Sequence, residues 1–266
     1  MESNIIHESF DRLLDTIKVL RKKCPWDAAL TNEQLRTLTI EEVYELSQSI
    51  ITNNPTDRKK ELGDVLLHII IYALIAEEKG EFCLTDVFDA LNEKLVFRHP
   101  HIFGNVKAET PEEVSKLWEQ VKLKEKGGNK TVLGGIPQSL PSVIKAYRLQ
   151  DKASHAGFDW HNQGDVWPKV HEEIDELKVE IEKGDADHSE DEFGDFLFAT
   201  INAGRLYGIN ADTALERTNA KFTRRFNHIE ARAKEKGLSL KDMTLEQMEE
   251  LWNEAKAIER QENPQK

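Results

Sequence analysis

The strongest constraint on the fold of this chain is an internal repeat, which indicates that one structural unit occurs twice. Four short segments recur in the same order and at a nearly constant spacing: 41–46 with 172–177, 61–64 with 192–195, 92–94 with 219–221, and 117–118 with 251–252. Insertions and deletions in loops account for the small drift in the spacing. We therefore predict two related modules within the 266 residues, and we call the shift that aligns 41–46 with 172–177 the repeat offset.

The stretch between the two modules is rich in residues that interrupt helices. Residues 125–141 contain four glycines and two prolines, which is a composition typical of a linker. The predicted organisation is an N-terminal module over 1–124, this linker, and a C-terminal module over 142–260.

Both modules are predicted to be helical, which gives an all-α fold. Thr31 and Gln34 have the spacing of a capping box, in which two side chains satisfy the free N–H groups at the start of a helix. Apolar residues recur at helical spacing in 170–181. Residues 68–76 are apolar and rich in isoleucine, as a strand would be, but the aligned segment of the second module has a helical pattern. We therefore predict a buried helix there as well.

The charge and the cysteine content argue against several functional classes. The formal net charge of −13 repels phosphate backbones, so we do not expect nucleic-acid binding. The two cysteines, Cys24 and Cys83, are too few for a disulfide framework or a four-cysteine zinc site. Residues 1–21 mix acidic with apolar residues and match neither a signal peptide nor a membrane span. We expect a cytoplasmic location without membrane contact.

The repeated segments carry paired carboxylates. Glu173 and Glu176 lie three residues apart, as do Glu192 and Asp195 on the next predicted helix, so the members of each pair point the same way. Like charges at this spacing repel unless a cation lies between them. Mg²⁺ fits, because it takes carboxylate oxygens together with water and substrate phosphates. We call these four residues the C-terminal quartet, and the first module repeats them as an N-terminal quartet: Glu42, Glu45, Glu61 and Asp64.

A glycine lies inside the second pair of each quartet, at Gly63 and Gly194. Glycine in a helix interior costs about 1 kcal/mol relative to alanine, so its presence needs a reason. Close approach of a neighbouring helix is one explanation. Access for a metal or a substrate is the other, and the sequence does not choose between them.

A group of cations follows the second quartet. Lys221, Arg224 and Arg225 occupy positions i, i+3 and i+4 of one predicted helix, so at least two of them share a face. Arginine grips phosphate with a planar fork, whereas lysine offers a point charge. Together with a magnesium site, these cations have the charges that a polyphosphate requires.

These motifs resemble the MazG family of all-α nucleotide pyrophosphohydrolases, through the C-terminal quartet followed by Lys221-Phe222-Thr223-Arg224-Arg225-Phe226. Three further segments resemble the tandem-domain members: Cys24-Pro25-Trp26-Asp27, Val132-Leu133-Gly134-Gly135-Ile136-Pro137 and Gly157-Phe158-Asp159-Trp160. The resemblance implies hydrolysis of nucleoside triphosphates to the monophosphate and pyrophosphate. It also implies Mg²⁺, with Mn²⁺ as a substitute, and a homodimer in which each module completes a four-helix-bundle-type core.

The resemblance also assigns roles to residues. The C-terminal quartet would hold the metal, and the basic trio Lys221, Arg224 and Arg225 would bind the phosphates. Lys169, Glu172 and Trp252 would lie near the nucleotide. The residues expected to act in catalysis are Glu172, Glu173, Glu176 and Lys221, and the general base is either Glu172 or a member of the quartet.

The first module departs from this pattern and is therefore the weaker candidate for the reaction. It has Val96-Phe97 where the second module has Thr223-Arg224, although Lys94 and Arg98 are present. Its quartet is intact and offers a second possible metal site. We expect the C-terminal module to be the main catalytic one.

Three alternatives compete with this interpretation. A di-iron carboxylate bundle requires Glu-x-x-His pairs, and none of the nine histidines has a glutamate three residues before it. A narrow-specificity relative would cleave only dUTP, dCTP or phosphoribosyl-ATP. A non-enzymatic acidic dimer would bind a protein partner and hold its metal for structural reasons.

Overall fold

A computed structural model describes residues 2–110, 113–114, 117–118, 121–122 and 131–262. Within these residues the chain forms eleven α-helices and no β-strand, so the predicted all-α fold is confirmed. Contacts between Cα atoms divide the chain into two compact units, Met1–Gly128 and Asn129–Lys266. Residues 125–130 of the predicted linker lie outside the described residues, and 131–141 form turns.

The described helices of the N-terminal unit are numbered in chain order: α1 Glu2–Lys23, α2 Pro25–Ala29, α3 Asn32–Ile51, α4 Pro55–Glu78, α5 Leu84–Arg98 and α6 Pro100–Phe103. The predicted capping box starts α3. The hydroxyl of Thr31 accepts the N–H of Gln34, and the side chain of Gln34 accepts the N–H of Thr31. These two bonds satisfy N–H groups that have no partner within the helix.

The core of the N-terminal unit is built around α4. Its Ile70, Ile71 and Leu74 are buried in one cluster with Ile17 of α1 and Leu35 of α3. The isoleucine-rich segment is therefore a buried helix, as predicted. The buried apolar residues of α4 need cover from several neighbouring helices, and α1, α3 and α5 all contact α4.

The C-terminal unit continues the numbering with α7 Ser142–His155, α8 Val166–Lys183, α9 Ala186–Leu206, α10 Ala211–Glu235 and α11 Leu245–Glu262. The helices α8 and α9 make the most extensive contact, and α7 packs against α9 and α10. Val166 and Val170 of α8 are buried against Ala199 and Ala203 of α9. Alanine at these contacts lets the two helix backbones lie close together.

The hairpin α8–α9 has the same kind of turn as the hairpin α3–α4. Gly184 ends α8 in the left-handed conformation (φ 75°), and Asp185 caps α9 by accepting the N–H of His188. At the positions that the repeat offset makes equivalent, Asn53 has φ 51° and Asn54 caps α4. The repeat therefore extends to the backbone of the turn. This turn sets the register in which the acids of one helix face those of the next.

Both units leave apolar side chains exposed at equivalent positions. Ile50 and Ile181 are exposed on α3 and α8, and Leu62 and Phe193 are exposed on α4 and α9. The members of each pair are related by the repeat offset. Within one chain, these helix faces are therefore incompletely covered.

Among the helices that the structure describes, none is both long enough and apolar enough to cross a membrane. The cytoplasmic location stays a prediction from the sequence. The same holds for the expected absence of nucleic-acid and membrane partners.

Candidate metal centre

The carboxylates of the C-terminal quartet converge between α8 and α9. Oxygen atoms of Glu173, Glu176 and Glu192 lie within 4.8 Å of one another. Asp195 is not in this group of three, but it lies about one turn beyond Glu192 on α9. Glu173 is only 6% exposed and lies three residues after Val170, which belongs to the apolar contact between α8 and α9. The hairpin thus places acids from two helices at one point, as predicted from the sequence.

The negative charges gathered in the C-terminal quartet raise the proton affinity of Glu192. The pKa of Glu192 lies above its ordinary value because of desolvation and because of the charges of Glu176, Asp195 and Glu173. Mutual repulsion of this kind is what a divalent cation relieves. The donor set is all carboxylate oxygen, which suits Mg²⁺ or Mn²⁺ and does not suit a soft metal.

The N-terminal quartet converges in the same way. Oxygen atoms of Glu42, Glu45 and Glu61 lie within 4.8 Å of one another. The Oε2 atom of Glu61 is buried and has no hydrogen-bond partner among the described residues. Desolvation, followed by the charges of Asp64, Glu45 and Glu61, raises the pKa of Glu42. A buried carboxylate oxygen without a partner is costly, so this cluster also fits a cation.

Each cluster already contains one lysine, but the two lysines come from different positions. In the C-terminal unit, Lys169 Nζ lies 2.8 Å from both Glu172 Oε1 and Glu173 Oε1. The hydrogen bond to Glu172, followed by that to Glu173, raises the pKa of Lys169. The repeat offset places Leu38 at the equivalent position of the N-terminal unit, so no cation is available there.

In the N-terminal unit the cation is Lys60, which the sequence analysis did not single out. Its Nζ lies 3.1 Å from Glu61 Oε1, 3.8 Å from Asp64 Oδ2 and 4.0 Å from Glu45 Oε2. The equivalent residue of the C-terminal unit is Asp191. The signal was visible in the sequence, since a lysine directly before Glu61 is also four residues before Asp64.

Two of the three predicted phosphate-binding cations, Arg224 and Arg225, join α10 to α11 in a separate cluster. Arg225 donates two hydrogen bonds to Glu259 Oε2, at 2.9 and 2.7 Å, and its guanidinium lies 5.3 Å from the ring centroid of Trp252. Arg224 donates to the other oxygen of Glu259 at 3.3 Å. Within the described residues, no hydrogen bond or ion pair joins Lys221 or either arginine to the C-terminal quartet. Glu259 was missed from the sequence, because its partners lie more than thirty residues away.

A lateral cavity of about 600 Å³ opens beside the C-terminal quartet. Three of its lining residues are Lys169, Glu173 and Asp195, so one wall belongs to the acidic cluster. Most of the remaining lining comes from α7, α9 and the segment 157–160. The site therefore combines an acidic metal-binding point, a lysine and a space for a larger group.

Comparison with known proteins adds to this geometry. Residues 30–103 and 163–230 match the family described as the MazG nucleotide pyrophosphohydrolase domain, so each unit contains one match. The chain is 40% identical over 256 residues to a protein of Escherichia coli (strain K12) named nucleoside triphosphate pyrophosphohydrolase, with 94% of this chain and 97% of that protein covered. It is also 40% identical to nucleoside triphosphate pyrophosphohydrolase/pyrophosphatase MazG of Thermotoga maritima, over 93% of this chain and 95% of that protein. The uncharacterized protein YabN of Bacillus subtilis is 42% identical over 97% of this chain and 54% of its own length.

Proposed function

The chain belongs to the MazG family of nucleotide pyrophosphohydrolases, and from that premise we propose that its C-terminal unit hydrolyses nucleoside triphosphates with Mg²⁺. The products are the nucleoside monophosphate and pyrophosphate. The observation that carries the proposal is the convergence of Glu173, Glu176 and Glu192 from two helices. The curated relatives named above, which match nearly the whole chain, support the reaction class.

The C-terminal quartet would hold the metal. When bound, the ion supplies positive charge against the negative charge that develops on the pyrophosphate leaving group. Lys169 adds a further positive charge at the wall of the lateral cavity. It also fixes the side chain of Glu172 through their hydrogen bond.

We assign the general base to Glu172. This residue lies directly before Glu173 on α8 and is outside the group of three converging acids. Lys169 bonds its Oε1, so Oε2 is the atom that would accept a proton from the attacking water. Lys221 and Arg224 would provide charge for the phosphates, and Trp252, which contacts Phe222 and Arg225, would lie near the nucleotide. In this scheme Arg225 has a structural role, because it bonds Glu259 and contacts the ring of Trp252.

The N-terminal unit is proposed to be the weaker site. Lys60 already pairs with three members of its quartet, which lowers the gain from binding a metal. The position of Arg224 is occupied there by Phe97. The main reaction is therefore placed in the C-terminal unit.

We also propose that the chain is a homodimer. Ile181 and Phe193 are exposed on the two helices that carry the C-terminal quartet, and Ile50 and Leu62 repeat this arrangement in the other unit. Exposed apolar faces of this kind are typical of surfaces that bind a partner. Pairing with a second copy would complete a four-helix core. Sedimentation equilibrium would show a mass of twice 30.6 kDa, and a monomer at micromolar concentration would contradict the proposal.

The experiment that tests the reaction is product analysis with the eight common ribo- and deoxyribonucleoside triphosphates. Mg²⁺, Mn²⁺ and EDTA are compared for the full chain. We expect equal amounts of monophosphate and pyrophosphate with either metal, and none with EDTA. Activity confined to dUTP or dCTP would support the narrow-specificity alternative. Failure to release pyrophosphate from any nucleotide would contradict the proposal.

A further inference from the structure

The last part of the linker is fastened to the first helix of the C-terminal unit by a buried lysine. Lys152 of α7 is only 4% exposed, and its Nζ donates to the backbone oxygens of Val132 at 3.2 Å and of Gly134 at 2.9 Å. Burial of an ammonium group is costly unless its N–H groups find acceptors. The two backbone oxygens supply such acceptors, and the bonds fix the path of the linker at this point.

A second lysine of α7 holds the linker further along the chain. Lys145 Nζ donates to the backbone oxygen of Gln138 at 2.5 Å. Lys145 and Lys152 are seven residues apart, which is about two helical turns, so they share one face of α7. Residues 131–138 therefore follow that face, and we call them the linker strap.

A tight turn gives the linker strap its shape beside Lys152. The N–H of Gly134 donates to the backbone oxygen of Thr131 at 3.1 Å. Gly135 follows in the left-handed conformation (φ 75°), which glycine adopts without steric cost. This backbone lets one ammonium group reach the oxygens of both Val132 and Gly134.

The residue between the two bonded ones belongs to the site. Leu133 lines the lateral cavity, whose wall also includes Glu173 and Asp195. Leu133 is 46% exposed, so its own burial contributes little to holding the turn in place. Directional hydrogen bonds from a buried lysine can hold it instead. Val132, directly before Leu133, is not among the residues that line the cavity.

We infer that Lys152 is a positioning residue for the reaction of the C-terminal unit, because it holds the linker strap where Leu133 forms part of the cavity wall. The inference rests on the proposed function. Residues 131–138 then belong to the working C-terminal unit, which begins before the predicted boundary at 142. Loosening one wall weakens binding but leaves the reacting groups in place, so the effect should fall on KM more than on kcat.

The test uses the full chain and two measurements, steady-state pyrophosphate release from ATP and CTP with Mg²⁺, and hydrogen–deuterium exchange of the amides of 131–136. Lys152→Met keeps the apolar stem and removes the N–H donors, whereas Lys152→Arg keeps donors. The matched control is Lys145→Met, which removes the other bond to the linker strap, at Gln138, a residue that does not line the cavity.

We expect Lys152→Met to raise KM about tenfold, to leave kcat within about threefold, and to speed exchange over 131–136 at least about threefold without altering exchange in α9. Lys152→Arg should restore KM to within about threefold of wild type. Lys145→Met should leave KM within about twofold. General damage to the fold would look different, because it would lower kcat and speed exchange in α9 as well.

A second pair of variants tests the wall itself while the bonds of Lys152 stay in place. Leu133→Ala removes most of the side chain that lines the cavity, and we expect it to raise KM about fivefold with unchanged kcat. Val132→Ala is the matched control, since it shortens the neighbouring apolar side chain outside the cavity, and its KM should stay within about twofold of wild type.

The inference is overturned if folded Lys152→Met leaves KM unchanged, if Lys145→Met raises KM as much, or if folded Lys152→Arg does not restore KM. If Lys152→Met does not fold, as judged by circular dichroism, Leu133→Ala and Val132→Ala decide, and equal KM values for these two overturn it. Failure of the proposed function is distinct, because wild type then releases no pyrophosphate from any triphosphate.

Discussion

Lys169 Nζ lies 2.8 Å from Oε1 of Glu173, which is one turn further along α8 and is the most buried acid of the C-terminal quartet. The lysine thereby pairs with the carboxylate of Glu173, whose negative charge would otherwise be costly between the two helices. It also stands at the wall of the lateral cavity, where a triphosphate would arrive. This one pair therefore connects the stability of the protein without metal to its proposed activity.

Replacing Lys169 by methionine should affect both properties. We expect kcat/KM for pyrophosphate release to fall about 10- to 100-fold, because a fixed positive charge near the phosphates is lost. Without metal, the free energy of unfolding should fall by about 1–2 kcal/mol, since Glu173 loses its partner while Lys169 itself is partly solvated. The matched control is Lys178→Met on the same helix, where the pair with Asp175 is exposed. Equal behaviour of the two variants in kinetics and in urea unfolding would refute this role.

Neutralising Glu192 should stabilise the protein when metal is absent. The pKa of Glu192 is raised in the folded state by desolvation and then by Glu176, Asp195 and Glu173. The folded state therefore binds this proton more tightly than the unfolded state. The resulting stabilisation is present below the ordinary value of 4.5 and is lost as the pH rises through the raised value.

At pH 7 in EDTA we thus expect Glu192→Gln to have a higher Tm than wild type, by differential scanning calorimetry. The same variant should lose the gain in Tm that Mg²⁺ gives to wild type. Glu190→Gln, which changes an exposed acid outside the cluster, provides the control and should alter neither value. A Tm below that of wild type in EDTA would show that Glu192 is not repelled by its neighbours.

Of the two arginines of α10, we expect Arg225 to stabilise the fold and Arg224 to bind substrate. The side chain of Arg225 is 15% exposed and is bound to Glu259, whereas that of Arg224 is 63% exposed. We expect Arg225→Met to lower the free energy of unfolding by about 1–2 kcal/mol through loss of the ion pair and of the contact with Trp252. Arg224→Met should change stability by less than about 0.5 kcal/mol but raise KM for nucleotides. Urea unfolding and steady-state kinetics on both variants check this, and the reverse pattern would contradict it.

The glycines of the quartets provide a further test. A Cβ atom at either Gly63 or Gly194 would meet no atom within 4 Å, so packing among the described residues does not require glycine there. We expect Gly63→Ala and Gly194→Ala each to stabilise the fold by about 0.5–1 kcal/mol, as alanine does in helix interiors. Only Gly194→Ala should lower activity, because it adds a methyl group next to the catalytic acids. Loss of stability in either variant, measured by urea unfolding, would show that another surface packs closely at that glycine.

The parts of the fold that local sequence patterns define were the parts that the sequence could predict. The quartets, the buried helix with Ile70 and Ile71, and the capping box at Thr31 all follow from periodicity and spacing, which are local properties. The matching turns at Asn53 and Gly184 extend the same repeat. Local patterns suffice here, because each hairpin joins helices that are adjacent in the chain.

Contacts between distant segments were not predictable. Glu259 reaches Arg225 across 34 residues, and no periodic pattern marks that pair. The bonds from Lys152 to Val132 and Gly134 depend on the path of the linker along α7, which only the packed structure defines. The predicted roles of Lys221, Arg224 and Arg225 toward the phosphates stay predictions, because they need the substrate to be tested.

The central claim is that the C-terminal quartet, with a divalent cation, carries the reaction. It is tested most directly by the kcat/KM for pyrophosphate release at saturating Mg²⁺ in Glu176→Gln and in Glu45→Gln, the equivalent change in the N-terminal quartet. We predict a loss of at least about 100-fold for Glu176→Gln and a change of less than about threefold for Glu45→Gln. Wild-type kcat/KM in Glu176→Gln, with an unaltered dependence on Mg²⁺, would contradict the account.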